Sequence, residues 1–523
     1  MRSLTKVAPA LALAAVLAAA GCSSNSSGSS ATGTTAKSGG TLVTVIGNDI
    51  DTLDPAAQAT ASVMAIEDMM VQELTQLSSA GKAEPLLATS WSQSSNGMSW
   101  TFNLRQGVKF SDGTPFNAAA VKFNLDRMLS PSTYKADPNV FVVIKDVAVV
   151  SNYVVRLDLK NPFPAMPIAL SLPIAGIISP ASASKSPNTV KEIQQPVGTG
   201  PYKYSSYVPN DHLTMVANAS YWGTKPYYAT QEYRFVTDPA TALALFESGQ
   251  AQVVLGPPQT NLSQLQSAGQ LLETDSSYAI QMEFDTQDNS VKAMDNVAVR
   301  QALSYAINRP LIISKILDGA GKALQGPFPL SDPGACVTGN YGYDPAKAKA
   351  MLAAAGASHL SLKMVSPEGR YPQDYQVAQA VAGMLRAVGV QVTLANPVSF
   401  ATYLDQVIVA PSRAASDLHL LGWGSLYGDA SQALLQFQSI QMPPAGYDGT
   451  YFENKQYDSL VNQGNDELTD SARFATYCQA EKVLMSQAPS IWLYQEENPV
   501  AVSTSVKGVY GLPVGFLVTT WAK

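Results

Sequence analysis

The sequence predicts an α/β protein, and three observations lead there. Trp100, Phe102 and Leu104 alternate with Thr101, Asn103 and Arg105, which is the period of a half-buried strand. Behind them the chain turns at Ser111-Asp112-Gly113 into a helix capped by Asn117, with Val121, Leu125, Met128 and Leu129 on one stripe at i, i+4, i+7 and i+8. The exchange of strand and helix then recurs. Val147, Val149, Val154, Leu157 and Leu159 mark a strand pair around Ser151-Asn152, and Val299, Leu303, Ala306 and Ile307 mark a helix face. Between the first strand and its helix, Gln106-Gly107 supplies a turn and Val108 to Phe110 reads as a short second strand.

Composition narrows the class. The 523 residues are enough for about two to four domains. An apolar content of 46% with 14% charged residues describes a well-cored globular chain. A formal net charge of −7 argues against nucleic acid, whose phosphates require a basic surface. Arg2 and Lys6 precede an unbroken apolar run from Val7 to Ala20, too short to span a bilayer, so residues 1–22 read as a signal peptide. It ends in Ala19-Ala20-Gly21-Cys22, which resembles the lipobox of bacterial lipoproteins. That resemblance makes Cys22 the lipid-attachment residue and mature N-terminus. Residues 23–40 are almost all Ser, Gly, Thr and Ala with almost no charge, a flexible tether. No later apolar run reaches the roughly 18 residues of a membrane span. Of the remaining cysteines, Cys336 and Cys478 fit no zinc or redox spacing; outside the cytoplasm they can pair as a disulfide.

Along the chain, Thr41 to Val45 opens as a strand and Asp51-Thr-Leu-Asp-Pro55 turns it. The next segment reads as a helix with Met64, Met69, Leu74 and Leu77 partly in phase, followed by a hairpin-like turn at Gly81 to Pro85. Pro162, Pro164, Pro167 and Pro173 interrupt regular structure. Gly198-Thr-Gly200 is no phosphate loop, because Pro201 blocks the helix start, and its glycines are expected to serve tight turns. Gly319 to Ala323 lacks the first glycine and the final Ser/Thr of a P-loop. Asp344-Pro345 starts a helix that Gly356 ends.

Catalytic chemistry is not in sight. His212, His359 and His419 are far apart, and no Gly-x-Ser-x-Gly, His-Glu-x-x-His or Cys-x-x-Cys occurs. The expectation is a non-enzyme without cofactor or metal. Trp423 follows an apolar run and lies between glycines, which allows close backbone approach to a ligand; a core tryptophan is the alternative.

Residue identities add a family. Ala88-x-x-Trp91 and Trp100-Thr-Phe-x-Leu-Arg-x-Gly-Val-Lys-Phe-x-Asp-Gly-Thr-Pro-Phe-x-Ala resemble the signature of the family 5 extracellular solute-binding proteins. These are the dipeptide, oligopeptide and nickel-binding receptors of ABC importers. Leu53-Asp-Pro55, Gly198-Thr-Gly-Pro-Tyr202, Tyr221-Trp-Gly223, Thr241 to Gly249, Met282 to Thr286, Asn296 to Arg309, Tyr343 to Gly356, Leu420 to Asp429 and Arg473 to Ile491 follow in the family's order. The resemblance covers about Thr41 to Ser505. It departs at Ala120, where the family has an acid, at Gly249-Gln-Ala-Gln252, at Asp285 in place of Asn, and at Leu426.

The resemblance implies a two-lobed, type II periplasmic-binding-protein-like fold with an additional inserted domain. Lobe one would comprise 41–85, 196–283 and 495–523, with 86–195 inserted, and lobe two would be 284–494. The ligand set it implies is Ala59, Thr60, Ala61 and Ser62 after the Leu-Asp-Pro turn, Asp285 on the crossing strand, and Trp423, Gly424, Ser425, Tyr427 and Asp429. Peptide-binding relatives place an ammonium-pairing aspartate where this chain has Leu426. Asp429 or Asp285 would then substitute, or the ligand is not a free-amino peptide. The implied function is cleft closure on a dipeptide or oligopeptide by a lipid-anchored, extracytoplasmic monomer that docks on an ABC permease. The alternatives are the same fold for a nickel chelate, haem, sugar or glutathione-like ligand, and a secreted hydrolase.

Overall fold

Two long strands, Leu271–Phe284 and Ser490–Val502, run antiparallel along each other, and the rest of the chain is arranged around them. Both are almost wholly buried from Ala279 to Phe284 and from Ser490 to Gln495, as strands covered on both faces must be. The computed structural model describes residues 39–57, 60–129, 141–183, 195–287, 291–512 and 517–519. The leader with Cys22, almost all of the tether and Ala59 lie outside the described residues.

From this central pair the sheet extends both ways. On one side come Leu418–Gly424, Ser361–Val365 and Gln391–Leu394; on the other come Val253–Leu255, Thr41–Ile46, Thr230–Phe235, His212–Ala217 and Tyr202–Val208. Thr41–Ile46 is parallel to both its neighbours, and so is Ser361–Val365. Parallel neighbours need a crossover, here supplied by helices Pro239–Glu247 and Asp374–Ala387. Each side buries its own core. Ile46, Tyr202, Met215 and Phe235 gather on the first, and Met282, Leu303, Leu362, Val381 and Leu420 on the second. We refer to these as the first and second lobes.

A separate four-stranded antiparallel sheet, ordered Ala88–Gln93, Ser99–Leu104, Val154–Leu159, Ile144–Ser151, carries helix Ala118–Met128. The Asn117 side chain accepts from the Ala120 amide, so the cap read from sequence is made. Val121, Leu125 and Met128 close a core with Phe102, Leu157 and Phe116. Cys336 and Cys478, 142 residues apart, form a disulfide in the second lobe.

Three local expectations change. Val108 to Phe110 forms no strand: Gly107 (φ 77°) and Gly113 (φ 86°) turn the chain twice, leaving a single bridge between Lys109 and Pro115. The helix after the Leu-Asp-Pro turn is only Ala61–Glu67. Beyond it the Glu73 and Leu74 carbonyls accept from the Leu87 and Ala88 amides, and Thr75–Leu77 pairs with Ala83–Pro85, so Leu74 and Leu77 belong to extended chain. Gly198 and Gly200 do not need a left-handed turn. A Cβ on either would stand 2.2 Å from the Met70 carbonyl oxygen or 2.5 Å from that of Met69, so close backbone approach is what demands glycine.

Candidate functional site

A cleft of about 580 Å³ opens where the lobes meet at the central strands. Thr274 and Asn498 form its floor, Ser62 and Ala65 of helix Ala61–Glu67 one wall, and Gly369 to Pro372 the other. The floor is irregular because the strand pairing breaks between Asp275 and Ala279. There the Gln495 side-chain Nε2 donates to the Ser276 carbonyl at 2.9 Å, and the Ser276 hydroxyl donates to Glu496 at 3.3 Å. A bulge of this kind bends the strand locally and re-aims its side chains.

The second-lobe wall is built by one carboxylate. Asp374, at the start of helix Asp374–Ala387, accepts the amides of Gly369 (3.2 Å), Arg370 (2.9 Å), Tyr371 (3.1 Å) and Tyr375 (2.9 Å). This folds the Gly369–Tyr371 loop over the strand end and fixes its backbone. The Arg370 guanidinium, exposed to the cleft, lies 4.9 Å from the Tyr371 ring, 5.3 Å from Phe400 and 5.9 Å from Tyr278. Three rings hold the cation while leaving its donors available. It is the one charged side chain among the described residues lining this cleft. Burial raises the Glu496 carboxyl, and the Arg370 charge pulls it back. Tyr371 is anchored by its hydroxyl on the Gly422 carbonyl at 3.3 Å. A Cβ at Gly422 would stand 2.6 Å from its ring, which is why that position is glycine.

The residues singled out by sequence divide. Ser62 lines the cleft and donates to Asn48 at 2.7 Å; Thr60 is the N-cap of its helix and Ala61 opens it. Trp423 is half-buried, its indole nitrogen donating to the Ala433 carbonyl at 3.1 Å. A Cβ on Gly424 would fall 1.9 Å from the Ser277 carbonyl oxygen. Ser425 is buried, accepting from the Asp429 amide at 2.9 Å. Tyr427 packs edge-on against Phe163 at 5.8 Å, tying the second lobe to the four-stranded unit, with Leu426 against the same core. Asp429 is fully buried, capping helix Ala430–Leu435 and holding both oxygens on the Arg473 guanidinium at 2.7 and 2.8 Å. Asp285 is buried at the far end of its strand, accepting from the Gln287 amide at 3.0 Å. Neither aspartate lines the cleft.

Arg370, Tyr371, Phe400, Thr274 and Asn498 were not foreseen. A signal existed: Pro367-Glu-Gly-Arg-Tyr-Pro372 is a turn-rich loop directly after a strand, and ligands in open α/β sheets bind at the carboxyl ends of strands. The histidines remain apart. His212 contacts Asp211, His359 is exposed, and His419 is buried against Glu283 at 2.8 Å. Among the described residues no group of three or more His, Cys, Asp or Glu could hold a metal ion, and no helix is long and apolar enough to cross a membrane.

Comparison with known proteins places this geometry among others. A family model described as bacterial extracellular solute-binding proteins, family 5 Middle, matches residues 82–441. The glutathione-binding protein GsiB of Escherichia coli (strain K12) is 29% identical over 477 residues, covering 90% of this chain and 92% of its own. Among solved structures, HbpA2 from Haemophilus parasuis superposes with a TM-score of 0.83 at 23% identity, covering 92% of this chain and 99% of that one. NikA from Brucella suis, in complex with Fe(III)-EDTA, gives 0.79 at 25% identity, with coverage of 92% and 99%.

Proposed function

The chain belongs to the bacterial extracellular solute-binding proteins of family 5, and from that premise we propose that it captures a short peptide bearing a carboxylate and hands it to an ABC import permease. Solute capture for ABC import is the family's function; the peptide, the carboxylate and the anchoring are our reading. The observation that carries it is the cleft at the lobe junction, with Arg370 as its charged side chain. A guanidinium offers paired donors that match a carboxylate, and its ring contacts orient it beforehand. The similarity to the glutathione-binding protein GsiB over 90% of the chain supports a peptide-like ligand. Contacts made from both lobes to one solute favour the closed form, which is the state a permease can recognise.

In this reading the lobes are 41–85, 196–283 and 495–523 against 284–494, with 86–195 inserted. Cys22 carries the lipid that holds a monomeric receptor outside the cytoplasm. The protein is a receptor and not an enzyme. A second reading, an anionic metal chelate, is favoured by the likeness to NikA in complex with Fe(III)-EDTA.

A thermal-shift screen of the mature chain against di- to tetrapeptides, glutathione, their C-terminal amides and metal–EDTA tests this. A ligand at a hundredfold its Kd stabilises by about 2.7 kcal/mol. Free-acid peptides should shift the protein and amides should not. A response to chelates alone would replace the peptide reading with the second one.

A further inference from the structure

Beside the cleft, past Ala65 and Leu517, which border both spaces, lies a smaller chamber of about 100 Å³. Two carboxyls face it. Asp68 follows directly on helix Ala61–Glu67, whose residues Ser62 and Ala65 form the cleft wall. Glu73 is 2% exposed, and its Oε1 has no hydrogen-bond partner. The two carboxyls hydrogen-bond each other, and no ion pair with either occurs among the described residues. The remaining groups around them add no positive charge. Gln72 is spent on Thr199, Trp222 and Tyr221; Tyr221 and Tyr510 are neutral phenols; Glu67 behind the pair is another acid. Arg105 is turned away, over the Trp222 ring at 4.4 Å and onto the Leu86 carbonyl at 3.0 Å.

A buried acceptor without a partner is costly unless something fills its place. The chamber has room for more than a single water, each of which needs roughly 10–15 Å³ of such space, and suits an aminoalkyl end of a few heavy atoms. Resting on the reading of the neighbouring cleft as the ligand site, we propose that this chamber is a subsite for a primary ammonium, with Asp68 and Glu73 as its counter-charge. The ligand would then be dipolar, its carboxylate toward Arg370 and its cation at the Asp68–Glu73 pair. This supplies the countercharge that Leu426, Asp429 and Asp285 do not.

The charge state agrees. Burial raises Asp68 to about 6 and lifts Glu73 well above the ordinary carboxylate range, with Asp68 adding to the rise at Glu73, so near neutral pH Asp68 is largely ionised and the pair carries negative charge. An ammonium neutralises that charge. Below about pH 6 Asp68 must lose a proton before the cation enters, so ammonium binding should weaken by about tenfold per pH unit.

Calorimetry of the mature chain with trialanine, glutathione and their N-acetyl forms tests the subsite. The free amine should bind at least tenfold more tightly than the acetylated form, and Asp68→Asn, which removes the charge, should bring that ratio near one. Equal binding of both forms to the wild type, or a ratio that survives in Asp68→Asn, overturns the subsite while leaving the carboxylate receptor intact. Should no peptide bind, ethylammonium decides. A saturable rise in Tm over that given by tetramethylammonium, absent in Asp68→Asn, upholds the chamber; no such rise overturns it. Glu73→Gln, which leaves the Asp68 charge in place, should keep the wild-type ratio, and Asp68→Ser gives the same reading as Asp68→Asn if that variant does not fold.

Discussion

Asp429 and Arg473 form a two-pronged ion pair, 2.7 and 2.8 Å long, with both side chains no more than 1% exposed. The pair raises the Arg473 guanidinium above its ordinary value against the cost of its burial, and it joins the helix after the Trp423 loop to helix Asp470–Gln487. Removing one partner strands the other in low dielectric. Asp429→Ala is expected to destabilise the protein by about 3–5 kcal/mol in urea unfolding. A ligand-binding aspartate would instead show a loss of affinity with stability unchanged.

Arg370 predicts the opposite pattern. It is exposed and its backbone is held by Asp374, so Arg370→Ala should leave the unfolding midpoint in place. Affinity for a free-acid peptide should fall by about 10- to 100-fold, the range for a hydrogen bond to a charged group. Affinity for the C-terminal amide should hardly change. Calorimetry on both ligands separates these outcomes.

Glu481 links stability to pH. Burial lifts its carboxyl to about 8, Asp332 adds to the rise, and the Cys336 amide at 3.2 Å opposes it. A carboxyl raised in the folded state binds its proton more tightly there than in the unfolded chain. Its contribution is complete below the ordinary carboxylate range and is lost as pH rises through about 8. Wild-type Tm should therefore fall between about pH 5 and 9, and Glu481→Gln, which keeps the neutral shape, should flatten that fall. An unchanged pH profile would refute the assignment.

The disulfide closes a loop with a sequence separation of 142. Long loops lose much chain entropy on cross-linking, so reduction should lower stability by about 2–4 kcal/mol in guanidinium titrations with and without reductant. The cleft lies elsewhere, and ligand affinity of the folded, reduced protein should be retained.

Gly424→Ala tests the central sheet. The new Cβ would meet the Ser277 backbone at 1.9 Å, and backbone cannot swing aside as a flexible side chain would. The strands must part, with an expected loss of about 1–3 kcal/mol or more in stability and weaker ligand binding.

The cap at Asn117, the stripe on its helix, the strand pair around Ser151-Asn152 and the chain's overall order were readable because each rests on residues a few positions apart. The Met64-to-Leu77 segment was not. Its extended part is set by carbonyl bonds to Leu87 and Ala88 and by the hairpin after Glu73, partners that periodicity cannot see. The same reason separates Ser62, reached from the Leu-Asp-Pro landmark, from Arg370, whose loop bears no charge pattern that marks it.

The sequence by itself determined the α/β class, the family and the absence of familiar catalytic motifs, since local periodicity and ordered motifs carry them. Only the tertiary structure decided where charge goes. It commits Asp429 to Arg473, leaves Arg370 facing the cleft, and sets Asp68 beside Glu73 with an oxygen unpartnered. Whether an ionisable side chain is spent inside the fold or left for a ligand depends on burial and on partners distant in sequence, and those exist only once the chain has folded.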